Sequence, residues 1–278
     1  MLIKNKMNPD WYKNIAVLWE LCNQLKYKYL SIRKTIKQKE TAGKTVVIKK
    51  FLMTRYLLGR NPETLVKSVE KFGGFENIKL YFDLTCWKDM PMFSFDEAKR
   101  QQERKQFNDN WKNHFNGYDY AIDLDAKDLS KSYETAKVLK DYLDQIKVPY
   151  SVKFSGSKGF HFYIPFSYLP KSIKPINLPK RCSKTTEWLI NRLNLKCVDE
   201  SIYDHRRVLK LAYSLDNENV ALPLDDFQFS SFKIENMKTE NVLRTVKIFR
   251  RGLLIRDHNL TEEQLIRNTK KLFQLKEV

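Results

Sequence analysis

The chain is poor in cysteine, and none of its cysteines are spaced to act together. Cys22, Cys86, Cys182 and Cys197 are scattered without a Cys-x-x-Cys pair, so neither a local zinc site nor a redox dithiol is signalled. No stretch approaches the roughly 18 consecutive apolar residues of a membrane-crossing helix, and the N-terminal MLIKNKMNPDWYK contains no apolar signal core. The thiols therefore read as reduced, and the expectation is a cytoplasmic, nucleoid-associated protein without a membrane partner. Internal repeats and low-complexity tracts are missing too. Acidic residues are outnumbered: 33 Asp and Glu against 51 Lys and Arg leave a formal net charge of +18. A field of that sign attracts polyanions, nucleic acid first and an anionic membrane second. A lysine-rich composition inherited from an AT-rich or hot-living source gives the same surplus. What is present suffices for a core: 42% of the 278 residues are hydrophobic and 13% aromatic, which excludes global disorder and fits one large domain or two small ones.

Periodicity places the elements. Trp11, Ile15, Leu18, Trp19, Cys22 and Leu25 recur at three- and four-residue spacing, predicting a helix over 8–37 with Asn8 or Asp10 as its cap. A polar loop follows over 34–44, around Gly43, and then an apolar stretch over 46–58 interleaved with Lys49, Lys50 and Arg55, before Arg60. Asn61-Pro62 opens a helix over 63–71 that stops at Gly73-Gly74. Residues 77–87 alternate as a strand, and 95–114 read as a charged, solvated helix. The segment 118–125, YDYAIDLD, alternates cleanly and leads into a helix over 130–146. That helix has Ala136, Leu139, Leu143 and Ile146 as its buried stripe and Ser130 or Ser132 as its cap. Tyr150, Val152 and Phe154 start a strand that turns through 155–159 into a second strand over 160–166. Pro165, Pro170, Pro175 and Pro179 mark a linking segment. A helix over 183–193, a strand over 196–203 and a basic helical end over 240–275, broken near Gly252, complete the chain.

Two features carry chemistry. Asp123 and Asp125 point to one face of their strand with Cα atoms roughly 6.6 Å apart. Carboxylates so spaced converge on a pair of divalent cations about 3.5–4 Å apart, or are simply solvated at a strand end. The loop KFSGSKGFH, residues 153–161, exposes backbone N–H groups as an anion-binding concavity, with Lys158 adding charge and Ser155 or Ser157 a hydroxyl. His161, two residues past the loop, is able to donate to a phosphate oxygen. A plain hairpin turn accounts for the same glycines, and a packed strand histidine for His161. Asp119 lies on the same face, roughly 13 Å back from Asp123, and reads as a bystander.

The set YAIDLD, FSGSKGFHFYIP and CVD, in that order, resembles the archaeo-eukaryotic primase superfamily: small primase subunits, primase–polymerases and the polymerase domains of bacterial end-joining ligases. That pattern is an apolar strand ending Asp-x-Asp, a small-x-His element after a Ser/Thr-Gly loop, and a later apolar-Asp. The segment DHRRVLKLAYSLDNENVALPL looks like the family's stretch beyond the third motif. The resemblance covers about 78–225. It implies an α+β fold with a mixed, RRM-like catalytic sheet flanked by helices. The divisions would be a helical N-terminal region (1–75), a catalytic core (76–235) and a C-terminal helical segment (236–278). It implies two Mg²⁺ or Mn²⁺ ions, and no zinc, held by Asp123, Asp125 and Asp199. The triphosphate grip would come from Ser155, Gly156, Ser157, Lys158, Gly159 and His161, with Lys153, Arg207 and Lys210 as nucleotide or template contacts. Asp204 reads as a partner of Arg206 or Arg207.

Two departures stand out. No cysteine-rich zinc knuckle follows Asp125, and Ser214-Leu-Asp216 stands where many relatives read Ser-Leu-His, an aspartate expected to repel the triphosphate. The implied function is template-dependent transfer of nucleotides from NTP or dNTP to a 3′-hydroxyl, with single-stranded or template–primer DNA, and with replication, CRISPR or repair proteins as partners. An end-joining repair polymerase without priming is the alternative within the class. A non-catalytic single-strand-binding module is the alternative outside it.

Overall fold

The strand bearing the two aspartates is one edge of a three-stranded antiparallel sheet, and its place there follows from a split crossover. The structure is a computed structural model describing residues 9–39, 47–57, 59, 61–71, 74–75, 78–91, 93–94, 96–248 and 250–274. In chain order the elements are α1 (Ile15–Asn23), β1 (Leu30–Lys39), β2 (Val47–Leu57), α2 (Pro62–Glu70), β3 (Ile78–Asp83), β4 (Thr85–Trp87), α3 (Glu97–Asp109), α4 (Trp111–His114), β5 (Phe115–Tyr118), β6 (Tyr120–Asp125), α5 (Leu129–Gln145), β7 (Ser151–Phe154), β8 (Gly159–Ile164), α6 (Leu178–Leu193), β9 (Val208–Lys210), β10 (Leu215–Asp216), β11 (Asn219–Val220), α7 (Asp226–Ser230), α8 (Thr239–Thr245) and α9 (Glu262–Leu272).

Strand β8 lies between β6 and β7 and is antiparallel to both. Strands β6 and β7 are therefore parallel to each other, joined by α5 as the crossover helix. Their C-terminal ends, with Asp125 and Phe154, reach the same edge of the sheet as the start of β8 at Gly159. One face of the sheet carries Ile122, Leu124, Phe160, Phe162, Val152 and Phe154, all buried. Helix α5 packs on it through Ala136, Leu139 and Leu143, and its Tyr133 ring lies 5.7 Å from that of Phe160. Each leucine so buried contributes about 1.5–3 kcal/mol. Asp128 caps α5, accepting from Ser130 N–H at 3.0 Å. Ser132, read as a cap from sequence, does something else, described below.

A second, four-stranded antiparallel sheet has the order β2-β1-β3-β9. Its presence corrects the helix expected over 8–37. Helix α1 ends at Asn23, and 30–39 is strand, because Leu30 and Ile32 alternate into the core while pairing with Phe82 and Leu80 of β3. The helical character expected of residues 1–75 thus gives way to a hairpin after α1. The strand expected over 196–203 is reduced to a single bridge, Val198 to Leu124, followed by a 3-10 turn over Glu200–Ile202, since Cys197 adopts a left-handed φ of 52° that breaks extension. The helical end expected over 240–275 with a break near Gly252 is present as α8 and α9, the second capped by Thr261. Asn8, Gly43, Arg60, Gly73 and Leu275 lie outside the described residues.

Candidate active site

Register decides which side chains meet. In the β6–β8 pair Asp123 stands opposite His161 and Asp125 opposite Gly159, and in the β7–β8 pair Lys153 stands opposite His161. Asp123, His161 and Lys153 therefore form one row across the face away from α5. His161 Nε2 lies 3.3 Å from Asp123 Oδ1. Its other ring nitrogen, Nδ1, is buried and has no partner among the described residues. Burial, with help from Lys153, pushes the imidazole down to about 4, so it is neutral at pH 7 in the bare site. Burial works against ionising Asp123, but His161, Lys153 and Lys210 more than offset it and hold this carboxyl below its ordinary range.

The loop between β7 and β8 is closed by its own hydrogen bonds. Ser155 N–H donates to Gly159 O at 2.9 Å, and Gly159 N–H donates to Ser155 Oγ at 3.2 Å. The N–H groups of Gly156, Ser157 and Lys158 between them donate to no protein acceptor among the described residues. Backbone N–H groups without acceptors in a tight turn are the chemistry an anion takes. Gly156 holds φ at +89°, where a side chain is strained. A Cβ on Gly159 would stand 1.9 Å from Leu124 O, so only glycine lets β8 approach β6 here. Ser132 ties α5 to the loop: its hydroxyl donates to Lys158 O at 2.8 Å and accepts from Ala126 N–H at 3.0 Å. The only signal for this in the sequence is a serine near the helix start, which capping explains equally well.

At the open edge Asp125 is exposed and Lys158 Nζ stands 3.9 Å from its Oδ1. Burial, and the charges of Asp123 and Asp199, raise the Asp125 carboxyl against the pull of Lys158 and Lys210. Asp199 joins the row through its backbone, donating from N–H to Asp123 O at 2.8 Å, while its carboxylate caps the following turn at Ser201 N–H, 2.8 Å away. Among the described residues no group of three or more His, Cys, Asp or Glu side chains is placed to hold a metal ion. The donor chemistry still fits a hard divalent cation. Asp123 and Asp125 offer oxygens from one strand face, and the mutual repulsion that opposes ionising Asp125 is what a cation relieves.

Other sequence-selected residues sit differently from their expectations. Lys153 and Lys210 are buried. Lys153 Nζ donates to Lys210 O, and burial together with the Lys210 charge holds its amine well below the ordinary lysine range. Lys210 Nζ donates to Ser155 O at 2.8 Å and pairs with Asp216. Arg207, read as a nucleotide or template contact, pairs with Asp204 at 2.9 Å, the partnership expected of that aspartate. Asp216, expected to repel a triphosphate, is buried and paired with both Lys210 and Lys79, so its charge is neutralised. Lys79 went unnoticed in the sequence because its alternating strand assigned it only an outward face. Asp119 is no bystander. It is buried, pairs with Lys28, and accepts from Tyr163 O–H and, at 2.7 Å, from Phe166 N–H.

The arrangement of elements is an α+β fold similar to that of a solved polymerase domain. The polymerase domain of Mycobacterium tuberculosis ligase D, solved in complex with DNA, superposes on it with a TM-score of 0.50, covering 91% of each chain at 14% sequence identity. An uncharacterized protein of Methanocaldococcus jannaschii is 29% identical over 160 residues, 49% of this chain. The match spans 35% of that protein's length. No protein-family model matches the chain.

Proposed function

We propose that the chain is a template-directed nucleotidyltransferase, adding nucleotides from NTP or dNTP to a 3′-hydroxyl on DNA. The observation that carries this reading is the coincidence, at one end of the sheet, of three N–H groups without acceptors among the described residues, at Gly156, Ser157 and Lys158, with the carboxylates of Asp123 and Asp125. A polyanion cradle beside an acidic pair makes sense only if cations and phosphates meet there. A module that merely binds single strands has no use for carboxylates near phosphates.

In this reading Asp123, Asp125 and Asp199 hold Mg²⁺ or Mn²⁺, which supplies activation of the 3′-hydroxyl and charge stabilisation of the leaving pyrophosphate. The loop N–H groups and Lys158 orient the triphosphate. His161 in its imidazolium form donates from Nε2 to Asp123 and from Nδ1 to a phosphate oxygen, and an arriving polyphosphate supplies the negative field that favours that form. Lys210 holds the loop from behind through Ser155 O. The basic surplus of the chain draws the nucleic acid in, so binding weakens steeply with salt. Among the described residues no helix is long and apolar enough to cross a membrane.

Incorporation of labelled nucleotide on a primed template with Mn²⁺ tests the proposal. The wild-type chain is expected to extend the primer, and Asp123→Ala to abolish extension while leaving DNA binding intact. A wild-type chain that binds single strands well and extends nothing would refute it. An unprimed circular single strand separates the settings: short products made de novo identify a primase–polymerase, and extension of annealed ends alone identifies a repair polymerase.

A further inference from the structure

Directly behind the loop that cradles anions lie three charged side chains from three elements. Lys79 comes from β3, Lys210 from β9 and Asp216 from β10. One oxygen of Asp216 pairs with Lys79 and the other with Lys210. Lys210 also donates to Ser155 O at 2.8 Å. The Cβ of Asp216 lies 2.9 Å from where a Cβ on Gly156 would stand, so the cluster touches the floor of the turn.

The charges do not cancel: two ammonium groups face one carboxylate, and the cluster carries a net positive charge. Lys210 alone neutralises Asp216. Burying a lysine–aspartate pair contributes little stability by itself, because the desolvation of both groups offsets their attraction. Lys79 is therefore surplus to the pairing. It is also the one member with an open side, its side chain 32% exposed against 9% for Lys210 and 3% for Asp216. A partly exposed ammonium, held by a buried carboxylate whose Cβ lies against Gly156 of a turn whose N–H groups lack acceptors, matches a polyphosphate ligand.

Resting on the nucleotidyltransferase reading, we infer that Lys79 is a phosphate-binding residue of this site and Asp216 the positioning residue that aims it and fixes the loop through Lys210. The aspartate serves the triphosphate by organising two cations beneath it.

Calorimetric binding of inorganic tripolyphosphate to the full chain, with EDTA present, tests this without catalysis. Lys79→Gln is expected to weaken binding roughly tenfold, the loss of one charge-assisted hydrogen bond. Lys79→Arg restores most of it. In the extension assay Lys79→Gln raises KM for nucleotide about tenfold and changes kcat by less than about twofold. Asp216→Asn weakens tripolyphosphate binding as well. Should that variant not fold, the Lys79→Gln and Lys79→Arg pair decides, because Lys79 is partly exposed. Wild-type-like binding by Lys79→Gln overturns the inference and leaves the nucleotidyltransferase reading standing. A folded wild-type chain that binds no tripolyphosphate overturns the inference as well, and the nucleotidyltransferase reading is then decided by the primer-extension assay with Mn²⁺.

Discussion

Asp119, just before β6, and Asp123, within it, meet opposite fates. At the Asp119 end the site is closed: Lys28 pairs with the carboxylate, Tyr163, Phe166 N–H and the Cys86 thiol donate to it, and all of this is buried except the half-buried Phe166. Lys28 in turn donates to the carbonyls of Asp83 at 3.0 Å and Leu84 at 3.3 Å, fastening α1's exit to β3. At the other end acceptors and donors are left over. Asp125 is exposed, His161 Nδ1 has no partner among the described residues, and three loop N–H groups await an acceptor. The same residue type in one short segment is structural where its hydrogen-bonding capacity is exhausted and available for chemistry where it is not.

Exchanging the two ends breaks this comparison most sharply. Asp125→Ala should cut nucleotide incorporation on the order of 10³-fold, several kcal/mol of lost charge stabilisation, with little change in urea unfolding. Asp119→Ala should do the reverse, costing about 3–5 kcal/mol in urea unfolding by leaving Lys28 buried without its counter-charge. Equal loss of stability in both variants would erase the distinction between the ends.

A smaller effect is expected where the ends share a strand pair. Gly159→Ala drives a methyl group into Leu124 O and should cost about 1–3 kcal/mol while weakening tripolyphosphate binding, measured on the same sample. Smaller still is a pH effect. Burial opposes ionising Asp216, but Lys210 and Lys79 outweigh it and hold its carboxyl below the ordinary 3.8. The unfolded chain therefore takes up this proton first as pH falls, so its contribution is full above about 4 and is lost below, as pH passes through the lowered folded value. Melting temperature followed from neutral pH to pH 3 should fall less steeply for Asp216→Asn than for wild type; identical slopes would remove Asp216 from the account. The mildest probe is alkylation of native protein. Burial pushes the thiols of Cys22 and Cys86 up to about 12, and Cys182 is buried as well, so half-buried Cys197 should react first with iodoacetamide.

The two regions were unequally legible. The alternation of 118–125, the stripe Ala136–Leu139–Leu143 and the turn residues at 155–159 are local signals, and they locate β6, α5 and the hairpin to within a few residues. The hairpin of β1 and β2 was not legible. The residues of β1 are lysine-rich and continue a helical reading, those of β2 are apolar with interleaved basic residues, and only the pairing of β1 with β2 and β3 settles their extended state. The closed end was hidden for a similar reason. Lys28, Cys86 and Asp119 are far apart in sequence and belong to no motif, and Tyr163 sits in one without any signal of this role.

The sequence by itself determined which residue types can do chemistry here. An Asp-x-Asp at a strand end, a glycine-rich turn and a histidine two residues beyond it are set by strand period and turn chemistry, both short-range. Tertiary structure alone decided which of the charged groups remain available. The antiparallel register put Asp123 against His161 and Asp125 against Gly159, and the second sheet brought Lys79 and Lys210 to Asp216 and Lys28 to Asp119. Whether a carboxylate is spent on a buried lysine or left open at an edge depends on partners from other elements, such as Lys28 for Asp119 and Lys79 for Asp216, and no local pattern encodes those meetings.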